Sequence, residues 1–302
     1  MGLVVITFNF VIVYLMNWLV LTLLAIIFRS FQSITVKVLS NSAKVSPMAQ
    51  SVLFTGAAAI LSLIISPIIG GISTAGLSEL WAVALIMVLA QSFGNILFFK
   101  GLAALEASVT AIAFSSILLW SVILSVMFLG SSFSIVQIFG IVFLFAAIVM
   151  VQYKKGVKKV EPAILYIVFS ALLFAVFQVS SAELAKTVPA ATYLLLNFAG
   201  ATVIVWLIYF KRVNSDLKEL SRQKLMVSQA VALAAICSTG YFVFSYFAYM
   251  AAPDRGVVVV LLTSQVVLSV ILGILLLKER ENTGRKLGAG FLALIAGILI
   301  KS

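Results

Sequence analysis

Apolar positions in this chain come in long runs that are hydrophobic on every face. They are separated by Pro, Gly and clustered charge. A helix needs about 20 such residues to cross roughly 30 Å of hydrocarbon. A membrane β-strand would instead alternate apolar and polar positions over about ten residues. The pattern therefore predicts helices, with spans 1 to 10 at 18–40, 47–69, 79–101, 106–130, 134–152, 162–186, 189–211, 226–251, 254–277 and 284–301. Pro47 and Pro189 open spans 2 and 7, at the position where proline suits a helix start. The longest linkers are 153–161, with KKGVKK at its centre, and 211–225, which holds KRVNSDLKELSRQK. Neither is long enough for a soluble domain. The expected class is an all-α membrane protein of ten transmembrane helices.

Composition agrees with this reading. Of 302 residues, 64% are hydrophobic and 10% charged, against about half and a quarter in soluble domains. A soluble enzyme, a nucleic-acid-binding module and a disordered chain are excluded. There is no His, so Ser-His and Cys-His nucleophile pairs, His zinc sites and His proton relays are absent. Cys237 is the single cysteine; it allows no internal disulfide and reads as a small hydrophobe. No metal or cofactor is expected. The net charge of +11 fits cytoplasmic loops facing anionic lipid.

Residues 1–17 form an apolar extension with no basic n-region and no small-residue cleavage site, a poor signal peptide. Joined to span 1 it would exceed the bilayer thickness. We read Met16 as the start; the rival is a short extra segment at 3–17. Basic residues gather in the linkers after the odd-numbered spans, chiefly Lys154, Lys155, Lys158 and Lys159, then Lys211, Arg212, Lys218, Arg222 and Lys224. This bias places those linkers in the cytoplasm and both termini outside.

The chain also repeats. With an offset of 148, residues 99–150 fall on 247–298 without a gap. Ser121 to Leu124 then match Ser269 to Leu272, Ser116 matches Ser264 and Gly140 matches Gly288. With an offset of 146, Phe28, Phe31 and Gln32 fall on Phe174, Phe177 and Gln178. Residues 18–152 and 162–302 are thus two five-span halves joined by the basic linker 153–161. Five is odd, so the second half is inverted. Inverted repeats are an architecture of alternating-access transporters, with substrate bound at the midplane.

The segments LEASVTAIAFSSILLWSVILSVMFLG and PDRGVVVVLLTSQVVLSVILGILLLKERENTGRKLGAGFLALIAGILI resemble the drug/metabolite transporter superfamily, EamA type. Lys278-Glu279-Arg280 followed by Gly288 and Gly297 matches that family's acidic-basic turn and Gly-rich last helix. The first half departs, with Gly130, Ser131 and Ser132 at the turn. Over 18–301 the resemblance implies ten helices, inverted repeats and a central cavity lined by spans 1, 3, 4, 6, 8 and 9. It also implies cytoplasmic termini, against the loop charges.

An ionisable group at the bilayer centre costs about 2.5–3.5 kcal/mol on insertion scales. Arg29 lies midway along span 1. At 100° per residue Arg29, Ser33, Lys37 and Ser40 share one side within about 80°, flanked by Gln32. The functional reading makes Arg29 a contact for a carboxylate or phosphate; the plain reading pairs it with Gln32, Gln91 or Asn95. The other candidate solute contacts are Gln32, Ser33, Gln91, Asn95, Ser116, Gln178, Ser264 and Gln265. Tyr193 and Asn197 repeat the spacing of Gln91 and Asn95. Hydroxyls often bond only their own helix, so Gln32, Gln91, Asn95 and Gln265 rank above them. Trp120, Tyr241, Tyr246 and Tyr249 either line a cavity or are packing and belt residues, packing being the safer reading. Glu183, repeat partner of Lys37, is the candidate coupling carboxylate; a pair with Lys186 three residues on explains it equally well. Lys37 sits near a span end, where snorkelling is cheap. Glu106 and Asp254 read as helix caps.

The leading expectation is a secondary transporter in the cell membrane, exporting amino acids or related organic anions by alternating access, with Arg29 as anion contact. No Walker A motif is present, so ATP does not drive it directly. The alternative is a multidrug-type or lipid-linked solute exporter or flippase. The missing His and the lack of a GxGD motif oppose an intramembrane protease. The expected partners are a small solute and lipid, not nucleic acid. Two halves in one chain make a monomer sufficient.

Overall fold

The computed structural model describes residues 17–42, 46–104, 113–114, 116–152, 163–220, 225–265, 267–269, 272 and 283–301. Regular structure among them is entirely helical. The helices are α1 (Trp18–Ser42), α2 (Pro47–Ile65), α3 (Leu77–Ala104), α4 (Ile117–Leu129), α5 (Ile135–Gln152), α6 (Ile164–Leu184), α7 (Ala190–Ile208), α8 (Phe210–Leu220), α9 (Leu225–Ala251), α10 (Arg255–Leu262) and α11 (Thr283–Lys301). Six are long and apolar enough to cross a membrane: α1, α2, α3, α6, α7 and α9. The shorter apolar helices are α4, α5 over 135–147, α10 and α11. The readings of residues 1–15, Glu106, the linker 153–161 and Lys278 to Arg280 lie outside the described residues.

The surface is inverted relative to a soluble protein. Ile64, Met127, Phe128, Ile135 and Phe291 stand exposed, while Gln32, Gln91, Asn95, Gln178, Asn197 and Gln265 are buried. Apolar exposure on this scale marks a lipid-facing surface. The chain is a multi-pass membrane protein.

Local chemistry sets the helix ends. Pro47 begins α2, and Ser46 before it accepts the Ala49 N–H at 3.4 Å. Asp254 caps α10, its Oδ1 accepting from Gly256 N and from Ser131 Oγ, both at 2.7 Å. That satisfies a free donor at a helix N-terminus, as its position in the sequence suggested. Gly130 closes α4 at φ +66°, a left-handed turn that glycine adopts without strain. Helix α2 stops at Ile65, short of the expected 69. Tight turns follow, in which Gly70 and Gly71 take positive φ.

The stretch 211–225, read as a linker, is helical through Leu220. Tyr209 breaks the helix at φ −113°, and α8 restarts at once. Val213 and Leu217 lie four apart and turn inward onto Met48, Val52, Ile96 and Val205. Lys211, Arg212 and Lys218 face outward. A strongly amphipathic segment packed on a span is more stable helical than extended. Its Asp216 accepts the Ser46 backbone N–H at 3.0 Å, and Asn214 Oδ1 accepts from Trp206 Nε1 at 3.1 Å.

The most extensive helix contacts join the first half of the chain to the second: α1 with α9, α3 with α6, α5 with α11 and α2 with α7. Exchange the five apolar helices α1 to α5 with α6, α7, α9, α10 and α11 in order. The α1–α9 contact then becomes α6–α3, α4–α6 becomes α10–α1, and α2–α9 becomes α7–α3. Three other extensive pairs, α2–α7, α5–α11 and α4–α10, map onto themselves. The offset of 146 holds at the crossings too. Gly240 backs onto the Phe28 ring, and a Cβ added at Gly94 would lie 3.5 Å from the Phe174 ring. At Gly240 the missing side chain allows close approach of two helices in a solvent that gives no hydrophobic drive between them.

Candidate functional site

The hydroxyls of the spans largely satisfy themselves. Ser62, Ser92, Ser181, Thr202 and Thr263 each donate to a carbonyl three or four residues earlier on the same helix, at 2.7–2.8 Å. Ser33 does the same to Ser30 O at 2.7 Å and lies exposed. Ser116 donates to Ala113 O at 2.8 Å at the start of α4. Ser264 sits half-buried in the turn after α10. A hydroxyl can bend back to its own helix, whereas a longer amide must find a partner across the bundle. The amides therefore carry the information.

They fall into two groups. Gln32 and Gln178, equivalent in the repeat, are engaged. Arg29 Nη1 donates to Gln32 Oε1 at 2.6 Å, and Gln32 Nε2 donates to Ser238 Oγ at 3.0 Å. Ser121 Oγ donates to Gln178 Oε1 at 3.3 Å, and Gln178 Nε2 lies 3.5 Å from Tyr241 Oη. The second group is buried with open positions. Gln91 Oε1, Asn95 Nδ2, Gln265 Oε1 and both amide atoms of Asn197 have no hydrogen-bond partner among the described residues. An unpaired buried polar group costs about 1–3 kcal/mol. A site that accepts a polar solute recovers that cost on binding.

Arg29 is the centre of the engaged group. Besides Gln32, its guanidinium carbon lies 5.1 Å from the Tyr241 ring centroid and 5.9 Å from that of Phe174. Two aromatic faces from α9 and α6 thus flank a cation on α1. Among the described residues no carboxylate pairs with it; the ion pair described there is Lys186 with Glu183. Next to Arg29, Ser30 Oγ donates to Gln265 O at 3.1 Å, which brings the end of α10 to the same level of α1.

The structure thus joins Arg29, Gln32, Gln178 and Gln265 through contacts linking α1, α4, α6, α9 and α10. Gln91 and Asn95 stand one turn apart on α3, with Gly94 between them packed on Phe174. Ser33 and Ser116 are turned to their own helices. Glu183 closes a pair with Lys186, whose Nζ is 2.6 Å from Oε1, at the partly exposed end of α6. Lys37 lies on α1, with its side chain outside the described residues. Sequence reading missed Phe174, Ser238 and Tyr241 as neighbours of Arg29. Their only signal was the equivalence of Phe28 and Phe174. A groove of about 550 Å³ beside Phe145, Met150 and Arg285 involves none of these side chains.

A model of the EamA-like transporter family matches the chain twice, over residues 16–153 and 161–301. One solved crystal structure is similar at a TM-score of 0.72 and 16% identity, covering 92% of this chain and 94% of its own. That similarity shows the fold. No curated protein matches the chain.

Proposed function

The chain belongs to the EamA-like transporter family, and from that premise we propose a secondary exporter of amino acids or related organic anions, working by alternating access in the cell membrane. Ten spans in two inverted five-span repeats form the transport unit, and one chain suffices. The loop charges place the linkers 153–161 and 211–225 in the cytoplasm. The observation that carries the solute class is Arg29. It is a cation at the middle of α1, flanked by Tyr241 and Phe174 and hydrogen-bonded to a neutral amide, with no carboxylate paired to it among the described residues.

Arginine stays ionised in proteins. A guanidinium with one neutral hydrogen-bond partner keeps N–H donors for a solute carboxylate, which it can grip through two parallel bonds. The open amides of Gln91, Asn95 and Gln265 would supply hydrogen bonds for the rest of the solute. A cationic drug would meet like charge here, which disfavours the multidrug alternative.

The test is uptake and counterflow in proteoliposomes with radiolabelled proteinogenic amino acids and simple mono- and dicarboxylates. Losing a charge-assisted contact costs about 1.5–3 kcal/mol, or roughly ten- to hundredfold in affinity. Arg29→Gln should lose transport of the anionic solute while remaining folded and inserted. Arg29→Lys should recover part of it, because the charge returns without the fork. Normal transport by Arg29→Gln would end the anion-site reading.

A further inference from the structure

 The Arg29 side chain is long and flexible, and an isolated arginine at this depth would sweep a wide volume. Three contacts on the guanidinium limit it: the bond to Gln32 at 2.6 Å, the Tyr241 ring at 5.1 Å and, further off, the Phe174 ring at 5.9 Å. Tyr241 is itself held. It is buried, and its hydroxyl lies 3.5 Å from Gln178 Nε2, whose Oε1 accepts from Ser121 at 3.3 Å. The chain of contacts runs from α4 through α6 and α9 to α1, across both halves of the molecule. The repeat does not duplicate it. With the offset of 146, Arg29 corresponds to Ala175 and Tyr241 to Asn95. The cation and its aromatic platform occur together at one helix crossing and at neither position of the other.

We propose that Tyr241 is a positioning residue for Arg29: its ring holds the guanidinium by its face, leaving the N–H edge directed at the anionic group of the solute. This rests on Arg29 being the anion contact. A carboxylate binds in the plane of the guanidinium, where the N–H groups point. An aromatic ring binds the face, above the plane. The two partners do not compete, so the platform orders the cation without occupying its donors. Ordering before binding raises affinity by reducing the entropy lost when the solute arrives.

The ring and the hydroxyl have separable parts in this arrangement. Tyr241→Phe keeps the face and loses the link to Gln178. Tyr241→Leu loses both. With radiolabelled proteinogenic amino acids as the probe in proteoliposomes, Tyr241→Leu should raise KM by roughly three- to thirtyfold, the range of a buried cation–π contact, with the maximal rate within about twofold. Tyr241→Phe should stay within about threefold of wild type in KM. In an Arg29→Gln background, assayed at solute concentrations high enough to measure residual flux, Tyr241→Leu should add no further loss, because a platform without its cation has nothing to position. Thermal melting of every variant in detergent reports whether it folds. An equal penalty from Tyr241→Leu with and without Arg29, or a KM unchanged by Tyr241→Leu, overturns the positioning role while leaving Arg29 as anion contact. Normal transport by Arg29→Gln alone overturns the anion site itself. Should Tyr241→Leu fail to fold, Tyr241→Met takes its place, a flexible side chain that fills gaps without the ring's face.

Discussion

Gly240→Ala tests the packing that brings α9 against Arg29's helix. A Cβ added at Gly240 falls on the Phe28 ring, too close to three of its atoms. Phe28 also packs on Phe244, one turn further along α9, with ring centroids 5.4 Å apart, so moving the ring disturbs that contact as well. The helices must part or the ring must leave its rotamer, and overpacking of this kind costs about 1–3 kcal/mol. Parting the helices also stretches the bond from Gln32 to Ser238, two residues from Gly240 and 3.0 Å long, worth about 1 kcal/mol. Alanine returns up to about 1 kcal/mol of helix propensity. The net expectation is a destabilisation of about 1–3 kcal/mol. Gly94, the equivalent glycine of the other crossing, is the control. Its added Cβ would lie 3.5 Å from Leu173 and Phe174, ordinary contact, so Gly94→Ala should be neutral or slightly stabilising. Thermal unfolding in one detergent gives the comparison. Gly240→Ala should melt about 2–6 °C lower than wild type, and Phe28→Leu in that background should cost less than it does alone. Equal melting of the two glycine variants would refute the reasoning.

Four further expectations follow from named contacts. Asp254→Ala removes the cap of α10 and leaves Ser131 without its acceptor; it should cost about 1–2 kcal/mol, read as a lower melting temperature, whereas Asp254→Asn, which keeps the accepting oxygen, should recover much of the loss. Asp216→Ala frees the Ser46 N–H and should lower stability by about 1 kcal/mol, with faster proteolysis around α8 as the second readout. Glu183→Gln should leave the pH dependence of transport unchanged, because the carboxylate is paired with Lys186 at the helix end; a flattened pH profile would instead make it the coupling group. Cysteines placed at Gly156 and Ser215 in a Cys237→Ser background should resist an impermeant maleimide in intact cells. The two linkers carry nine Lys and Arg residues and are expected in the cytoplasm; labelling of both from outside would reverse the topology.

The sequence alone determined the elements that depend on composition and local chemistry. Long all-apolar runs have one stable form in lipid, because a helix satisfies its own backbone. The helices accordingly lie where the runs lie, and Pro47 and Asp254 mark starts that need no tertiary partner to be recognised. The repeat was legible for the same reason: Phe28 and Phe174 sit at equivalent places, and the structure uses both against glycines. Helix α8 was missed because its apolar residues are few. Val213 and Leu217 become a helix face once α2 and α7 supply a surface for them. The surroundings of Arg29 were beyond the sequence altogether. Its place on α1 could be read, and so could its cost in lipid, but not the neighbours that make it tolerable. Tyr241, Ser238 and Phe174 lie far along the chain, on helices whose apolar faces look alike by periodicity. Which of those faces meet is decided by fine differences in side-chain size, as where a glycine at 240 lets a helix approach and a phenylalanine at 28 fills the gap. Such complementarity is a property of pairs of surfaces, and it exists only once the two halves are packed together.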